Sequence, residues 1–418
     1  VTIRLLKAGL MIGTTLSLSA CSTPKTASYF SHETAATQKT AAVPAPRPSK
    51  ETTASIKPLN NIRQLNQRSW EVAYRNHEHK TEAYWDEIAQ KRKLRNEKRQ
   101  GGQKIMLEDY VLVQPPVYNG PKRRSATPLP NKPGRMIDQS VPRTADFLAA
   151  VKKIYGFTPD QPQTEDEFMR SYAIAATRSG LTKQQLISLY VFETGGNGTH
   201  DLQAGTSKDK KDAMPISTAI GYNQLVATAS ISVISEFGPA IAGELRQQAR
   251  GTTGQRQRQL LQKARIVEKM TVRARTVPHQ WKAQSELAKT PYGLAIHAMT
   301  LDKDVGPLLQ LHKLRTSMNF LRANGITHTL TGAELEMLNL TGDGNGLDII
   351  TMPEAYRAKV PTANFFVRQG YERNPIARRN NTAAKLLQAI SEKMQANIHK
   401  DGAQALYRAF QATEIVSN

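Results

Sequence analysis

Thr182-Lys183-Gln184-Gln185-Leu186-Ile187-Ser188-Leu189-Tyr190-Val191-Phe192-Glu193-Thr194-Gly195-Gly196 carries its own start and stop signals. Thr182 with Gln185 three residues later has the form of a capping box, an apolar run follows, and Gly195-Gly196 ends it, so a helix is predicted from Thr182 to Thr194. The same grammar recurs on both sides. Thr164-Glu165-Asp166-Glu167 precedes Phe168 to Ala176, with Gly180 as the stop, and Thr331-Gly332-Ala333-Glu334 opens a helix that ends at Gly342. Another helix is predicted from about Tyr222 to Phe237, closed by Gly238-Pro239. Long alternating strands and short internal repeats are absent, so residues 141–418 read as one mainly α domain.

Composition narrows the function classes. The chain has 418 residues, 39% hydrophobic and 6% aromatic, too polar for a multi-spanning membrane protein and too mixed for full disorder. Lys plus Arg number 57 against 35 Asp plus Glu, a formal charge of +22, which calls for a polyanionic partner: nucleic acid, anionic lipid or an acidic wall polymer. The single cysteine, Cys21, excludes intramolecular disulfides and Cys-rich metal sites.

Arg4 and Lys7 precede an apolar stretch from Ala8 to Leu18 that is too short to span a bilayer and is followed by small residues, the form of an export signal over residues 1–20. Leu18-Ser19-Ala20-Cys21 resembles the lipobox of bacterial lipoproteins, which implies cleavage before Cys21 and lipid attachment to it. Ser22 follows, with no Asp, and in Gram-negative lipoproteins this implies sorting to the outer membrane, facing the periplasm. Export removes nucleic acid from the candidate partners and leaves membrane surface and cell wall.

Residues 21–140 read as a tether. Half of the prolines, 11 of 22, fall between 22 and 140, with 21 basic and 11 acidic residues, so this segment is expected to be a basic, Pro-rich and largely disordered linker without a core. Trp70 to Arg99 reads within it as a solvated helix. The basic run Lys91 to Arg99 is either a solvated face or a contact for lipid or wall polymer, and His77 and His79, two apart, would not share a helix face as metal ligands.

Glu193 carries the chemistry. It lies in the last turn of its predicted helix, stacked over Leu189 and Leu186, where the macrodipole and burial both oppose an anion and would raise its pKa into the range of a general acid. A Glu that swings into solvent at a frayed helix end is the competing reading. The stretch Leu186 to Asn197, followed by Ala219-Ile220-Gly221-Tyr222-Asn223-Gln224-Leu225, resembles the lytic transglycosylases of the lysozyme-like superfamily. In that family an apolar helix ends in Glu-Ser and a Gly-x-x-Gln motif follows after a loop. Glu193 matches the catalytic glutamate, Thr194 stands in place of the serine, and Gly221 with Gln224 matches the second motif. The loop between them, containing Lys208 to Asp212, is longer than usual. Asn339 matches the asparagine of the family's Tyr-Asn-x-Gly motif, but Leu338 stands where the tyrosine is expected; Tyr371 is a candidate to replace it.

The resemblance implies a lysozyme-like fold and cleavage of peptidoglycan between N-acetylmuramic acid and N-acetylglucosamine, giving 1,6-anhydromuramoyl ends. Glu193 would be the sole acid and base, with Thr194, Gly221, Tyr222, Gln224 and Asn339 binding substrate, and no cofactor or metal. Peptidoglycan, the membrane through Cys21, and other proteins of an envelope machine would be the partners. A wall-binding scaffold without turnover and a hydrolase using a loop acid, Asp201, Asp209 or Asp212, are the alternatives. The stretch Arg246 to Arg275 has no counterpart in the family. Asp343-Gly344-Asn345-Gly346-Leu347-Asp348 with Glu354 has EF-hand ligands at three positions, but Leu347 and Asp348 break the ligand set and the turn, so a plain Asp/Asn/Gly turn is expected.

Overall fold

A computed structural model describes residues 56–123, 141–206 and 213–417. Cys21, the export signal, the Pro-rich run from Ala41 to Pro48 and the loop acids Asp209 and Asp212 lie outside the described residues. The described chain is mainly helical, and its β pairing is confined to isolated bridges. Helices α1 (Ile56–Gln100), α2 (Thr144–Tyr155), α3 (Glu165–Ser179) and α4 (Lys183–Thr194) are followed by α5 (Ala227–Arg250), α6 (Gly254–Ala274), α7 (Trp281–Ala288) and α8 (Pro291–His297). Then come α9 (Val305–Ala323), α10 (Gly332–Thr341), α11 (Asp343–Thr351), α12 (Glu354–Arg357), α13 (Arg368–Arg373), α14 (Pro375–Arg379), α15 (Ala383–Asn397) and α16 (Asp401–Ser417). Among the described residues no helix is long and apolar enough to cross a membrane.

Three predicted boundaries hold because they rest on local chemistry. The hydroxyls of Thr164, Thr182 and Thr331 accept from the backbone N–H of Glu167, Gln185 and Glu334, and Gly180 and Gly195 close α3 and α4 in the left-handed conformation. Helix α4 is buried on all sides from Gln185 to Glu193, packed by α3, α10, α15 and α16. A second apolar core joins α2, α5, α6, α8 and α9 through Phe147, Ile231, Leu245, Val267, Ile296 and Leu309.

The helix predicted to stop at Gly238-Pro239 does not stop there. Helix α5 begins at Ala227 and runs through Pro239 to Arg250. Proline removes the N–H that would bond the carbonyl four residues back, that of Ser235. Arg275 supplies the missing donor, its Nε bonding Ser235 O at 2.8 Å. A side chain on Gly238 would collide with Thr271 of α6, so the glycine admits the close approach of two helices. The stretch without a family counterpart thus forms the end of α5 and all of α6, an antiparallel pair.

Two further expectations are corrected. Asp343 to Thr351 is helix, not a turn: Asn345 donates to Thr341 O and Phe365 O, and Asp348 faces Arg95 and Arg99. The linker reading of 21–140 also fails in part, since residues 88–114 belong to the same compact unit as 139–418. The basic run is not a solvated face throughout. Arg95 is fully buried, its guanidinium bonding Asp348 at 2.9 Å, Asp109 O and Asn364 O at 3.1 Å each, and lying 4.5 Å from the centre of the Tyr110 ring. Arg92 caps Phe366 O at 2.6 Å, and Lys98 bonds both oxygens of Asp109 at 2.6 and 2.7 Å. The described residues 56–87 and 115–123 belong to the other unit. Within it Trp70 stacks on Tyr74, Tyr118 meets the edges of Tyr74 and His77, and Arg123 lies over Trp70, so this Pro-containing segment builds a small aromatic cluster.

Candidate functional site

Glu193 occupies the last turn of α4, 7% exposed, where the cap at Thr182 and the stop at Gly195 together fix its register. It does not swing into solvent. Asn339 of α10 donates from its side-chain amide to Glu193 Oε1 at 3.1 Å, across 146 residues of sequence. The two helices come this close because Gly332 sits against Ser188, where a Cβ would collide with the serine side chain.

A second acid lies at the same place. Glu336, one helical turn before Asn339 and therefore on the same face of α10, is fully buried beside Glu193; neither of its oxygens has a well-aligned hydrogen-bond partner, and the Asn339 amide near it acts only weakly against the rise in its pKa. Burial, followed by the charge of Glu193, drives the Glu336 carboxyl well above the usual range; Lys393 of α15 opposes the shift. Lys393 also lies 3.9 Å from the centre of the Phe192 ring. Sequence reading missed Glu336. Its signal was an acid flanked by Leu335 and Met337, three residues before an already chosen Asn339.

The remaining chosen residues serve the scaffold around the acid. Thr194 caps its own helix, donating to Tyr190 O and accepting from Gly196 N–H. Gly221, at φ +84, and Gln224, at φ +45, shape a tight turn between Ile220 and Leu225, whose backbones bond each other at 3.2 and 3.0 Å. A left-handed conformation is costly for a residue with a side chain. Gln224 offsets it with its own amide, which donates to Leu202 O at 3.1 Å and Gly221 O at 2.9 Å. Gln224 is expected to hydrogen-bond a sugar or to orient the site; both amide hydrogens are spent within the protein, which leaves the orienting role in this arrangement.

Tyr222 is corrected from substrate ligand to core residue. It has no exposed surface, its hydroxyl donates to Glu165 at 2.7 Å, and its ring sits against Phe168, Tyr172 and Tyr190 at 4.8 to 5.2 Å between centres. Tyr190 lies one turn before Glu193, so Tyr222 docks the Gly221–Gln224 turn on α4. Tyr371 is 8% exposed and packs near Phe366. Asp201 accepts from the Thr199 hydroxyl at 2.6 Å.

The chain matches no family model, no curated protein and no solved structure. What the geometry provides is a carboxyl 7% exposed at Glu193, bonded by the Asn339 amide and close to the fully buried acid Glu336.

Proposed function

We propose that the chain is a lytic transglycosylase of the bacterial envelope, tethered through a lipidated Cys21, that cleaves the glycan strand of peptidoglycan. The observation that carries the reading is the asymmetry of the two acids. Paired-carboxylate glycosidases place their two groups on opposite sides of the scissile bond, about 5–9.5 Å apart, with sugar between them. Glu336 has no exposed surface and faces Glu193 directly, so no sugar fits between them and Glu336 reaches no water. A glycan at this site therefore meets one acid.

One acid suffices for intramolecular transfer. Glu193 protonates the leaving glycosidic oxygen as the bond to the muramoyl anomeric carbon breaks. It then accepts the proton of the muramoyl 6-hydroxyl as that oxygen bonds the same carbon, closing the 1,6-anhydro ring and restoring the acid. Asn339 fixes the carboxyl orientation through both steps. The net charge of +10 on residues 141–418 suits an anionic glycopeptide.

Binding without turnover is the second reading, favoured by the engagement of Gln224 and Tyr222 inside the protein. Mass spectrometry of purified peptidoglycan after incubation with the full chain separates the two. Anhydromuramoyl fragments from wild type, and none from Glu193→Gln, are expected. Wall pelleting with no soluble fragments would leave the binding scaffold.

A further inference from the structure

Glu336 differs from other buried carboxylates among the described residues. Asp302 takes three backbone N–H bonds and Lys263, Asp348 takes Arg95 and Arg99, and Asp343 accepts from Ser317 at one oxygen. Both oxygens of Glu336 lack a well-aligned donor while the group is ionised. Leaving an ionised carboxylate in such a place costs several kcal/mol. Three groups act on it: Glu193 from α4, Lys393 from α15 and Asn339 from its own helix. The lysine charge is partly engaged by the Phe192 ring. Glu193 offers only acceptors when ionised, and two facing acceptors attract only if one of them carries a proton. Of the two, the one with no access to water keeps it.

We propose that Glu336 is a positioning residue, a neutral carboxylic acid whose O–H holds the Glu193 carboxylate that forms once Glu193 has given up its proton, while Asn339 holds the other side of the same pair. The pattern is a carboxylic acid kept protonated by its surroundings so that it can donate a hydrogen bond. Two donors on a single carboxylate restrict its rotamer and leave other lone pairs unused. Because the donor stabilises the Glu193 anion, it also sets the pH at which Glu193 holds its proton. Its part in turnover rests on the transglycosylase reading, whereas the hydrogen bond does not.

The test uses the full chain with glutamate labelled at Cδ with carbon-13, titrated by nuclear magnetic resonance as wild type, Glu336→Gln and Glu336→Met. At pH 7 the Glu336 carbon is expected at the position of a protonated carboxyl in wild type. Gln retains a donor, so the Glu193 inflection stays within about half a unit; Met removes the donor and raises it by about one unit or more. If the chain turns over glycan, the alkaline limb of kcat moves with that inflection while KM holds. An ionised Glu336 signal at pH 7, a Glu193 inflection that falls by a unit in Glu336→Gln, or one unmoved in Glu336→Met would overturn the proposal. Should the Met variant fail to fold, the wild-type signal and the Gln variant still decide. If wild type releases no glycan fragments, the catalytic reading falls and the carbon-13 titration still judges the hydrogen bond.

Discussion

Two of the buried acidic clusters among the described residues are built on opposite plans. Around Lys263, Asp302 and Asp304 supply carboxylates within bonding distance of the ammonium, Arg256 grips Asp304 through both terminal nitrogens, and Asp160 and Lys303 extend the network outward. Burial opposes the Lys263 ammonium, but the charges of Asp302 and Asp304 prevail and raise its pKa; for Asp304, burial pushes up while Arg256 and Lys263 bring the carboxyl below the usual range. Around Glu193 the arrangement is two acids, one amide and one lysine. The first cluster satisfies every charge and clamps α6 to the start of α9. The second leaves a proton to be shared, which is the property a site for acid and base chemistry needs.

The largest expected effect breaks the first cluster. Lys263→Met strands the fully buried Asp302 without its cation and should destabilise the fold by about 3–5 kcal/mol in urea unfolding; a loss below about 1 kcal/mol would mean the network does not hold the helices. Arg95→Met tests the same plan at residues 88–114. It removes a guanidinium that joins Asp348, Asp109 and Asn364, and should cost about 3 kcal/mol by the same measurement. A chain beginning at residue 141 should for this reason be less stable than the full chain, and equal stability would contradict the packing of α1.

His297 sharpens the comparison by showing a buried group held neutral by burial. It is fully buried, within 2.8 Å of both Thr218 O and the Ser230 hydroxyl, and burial lowers its pKa to about 4 despite the bond to Thr218. The folded state binds this proton less readily than the unfolded state, whose histidine titrates near 6.5. Stability is therefore complete above about pH 6.5 and falls as the pH approaches 4, by about 3 kcal/mol from this group. His297→Gln should flatten that part of the stability profile, and an unchanged slope would refute the assignment. The smallest effect belongs to the second cluster: Glu336→Met removes an acid with no well-aligned donor and should leave stability within about 1 kcal/mol of wild type or raise it, in contrast to Lys263→Met.

Much of the fold was legible where the deciding chemistry is local. Thr164, Thr182 and Thr331 cap the helices they were expected to cap, and Gly195 stops α4 one residue after Thr194, which places Glu193. The errors arose where the deciding partner is distant in sequence. Pro239 reads as a stop because nothing near it announces that Arg275 will bond Ser235 O. The run Lys91 to Arg99 reads as solvated because Asp348, which makes Arg95 a core residue, lies 253 positions away. Tyr222 stands between Gly221 and Gln224 and reads as a substrate ligand, and only its hydroxyl bond to Glu165 and its aromatic neighbours make it core. Asn339 was found, whereas Glu336, one turn before it, was not, since an acid in an apolar run shows its partner only once α10 meets α4.

The claim that one reachable acid performs the chemistry can be tested by digesting peptidoglycan with the full chain in water enriched in oxygen-18. Transfer from the muramoyl 6-hydroxyl uses no water, so the new ends should carry no oxygen-18 and weigh one water less than reducing ends. Incorporation of one oxygen-18 per cleavage would contradict the account and require a second acid that delivers water to the anomeric carbon.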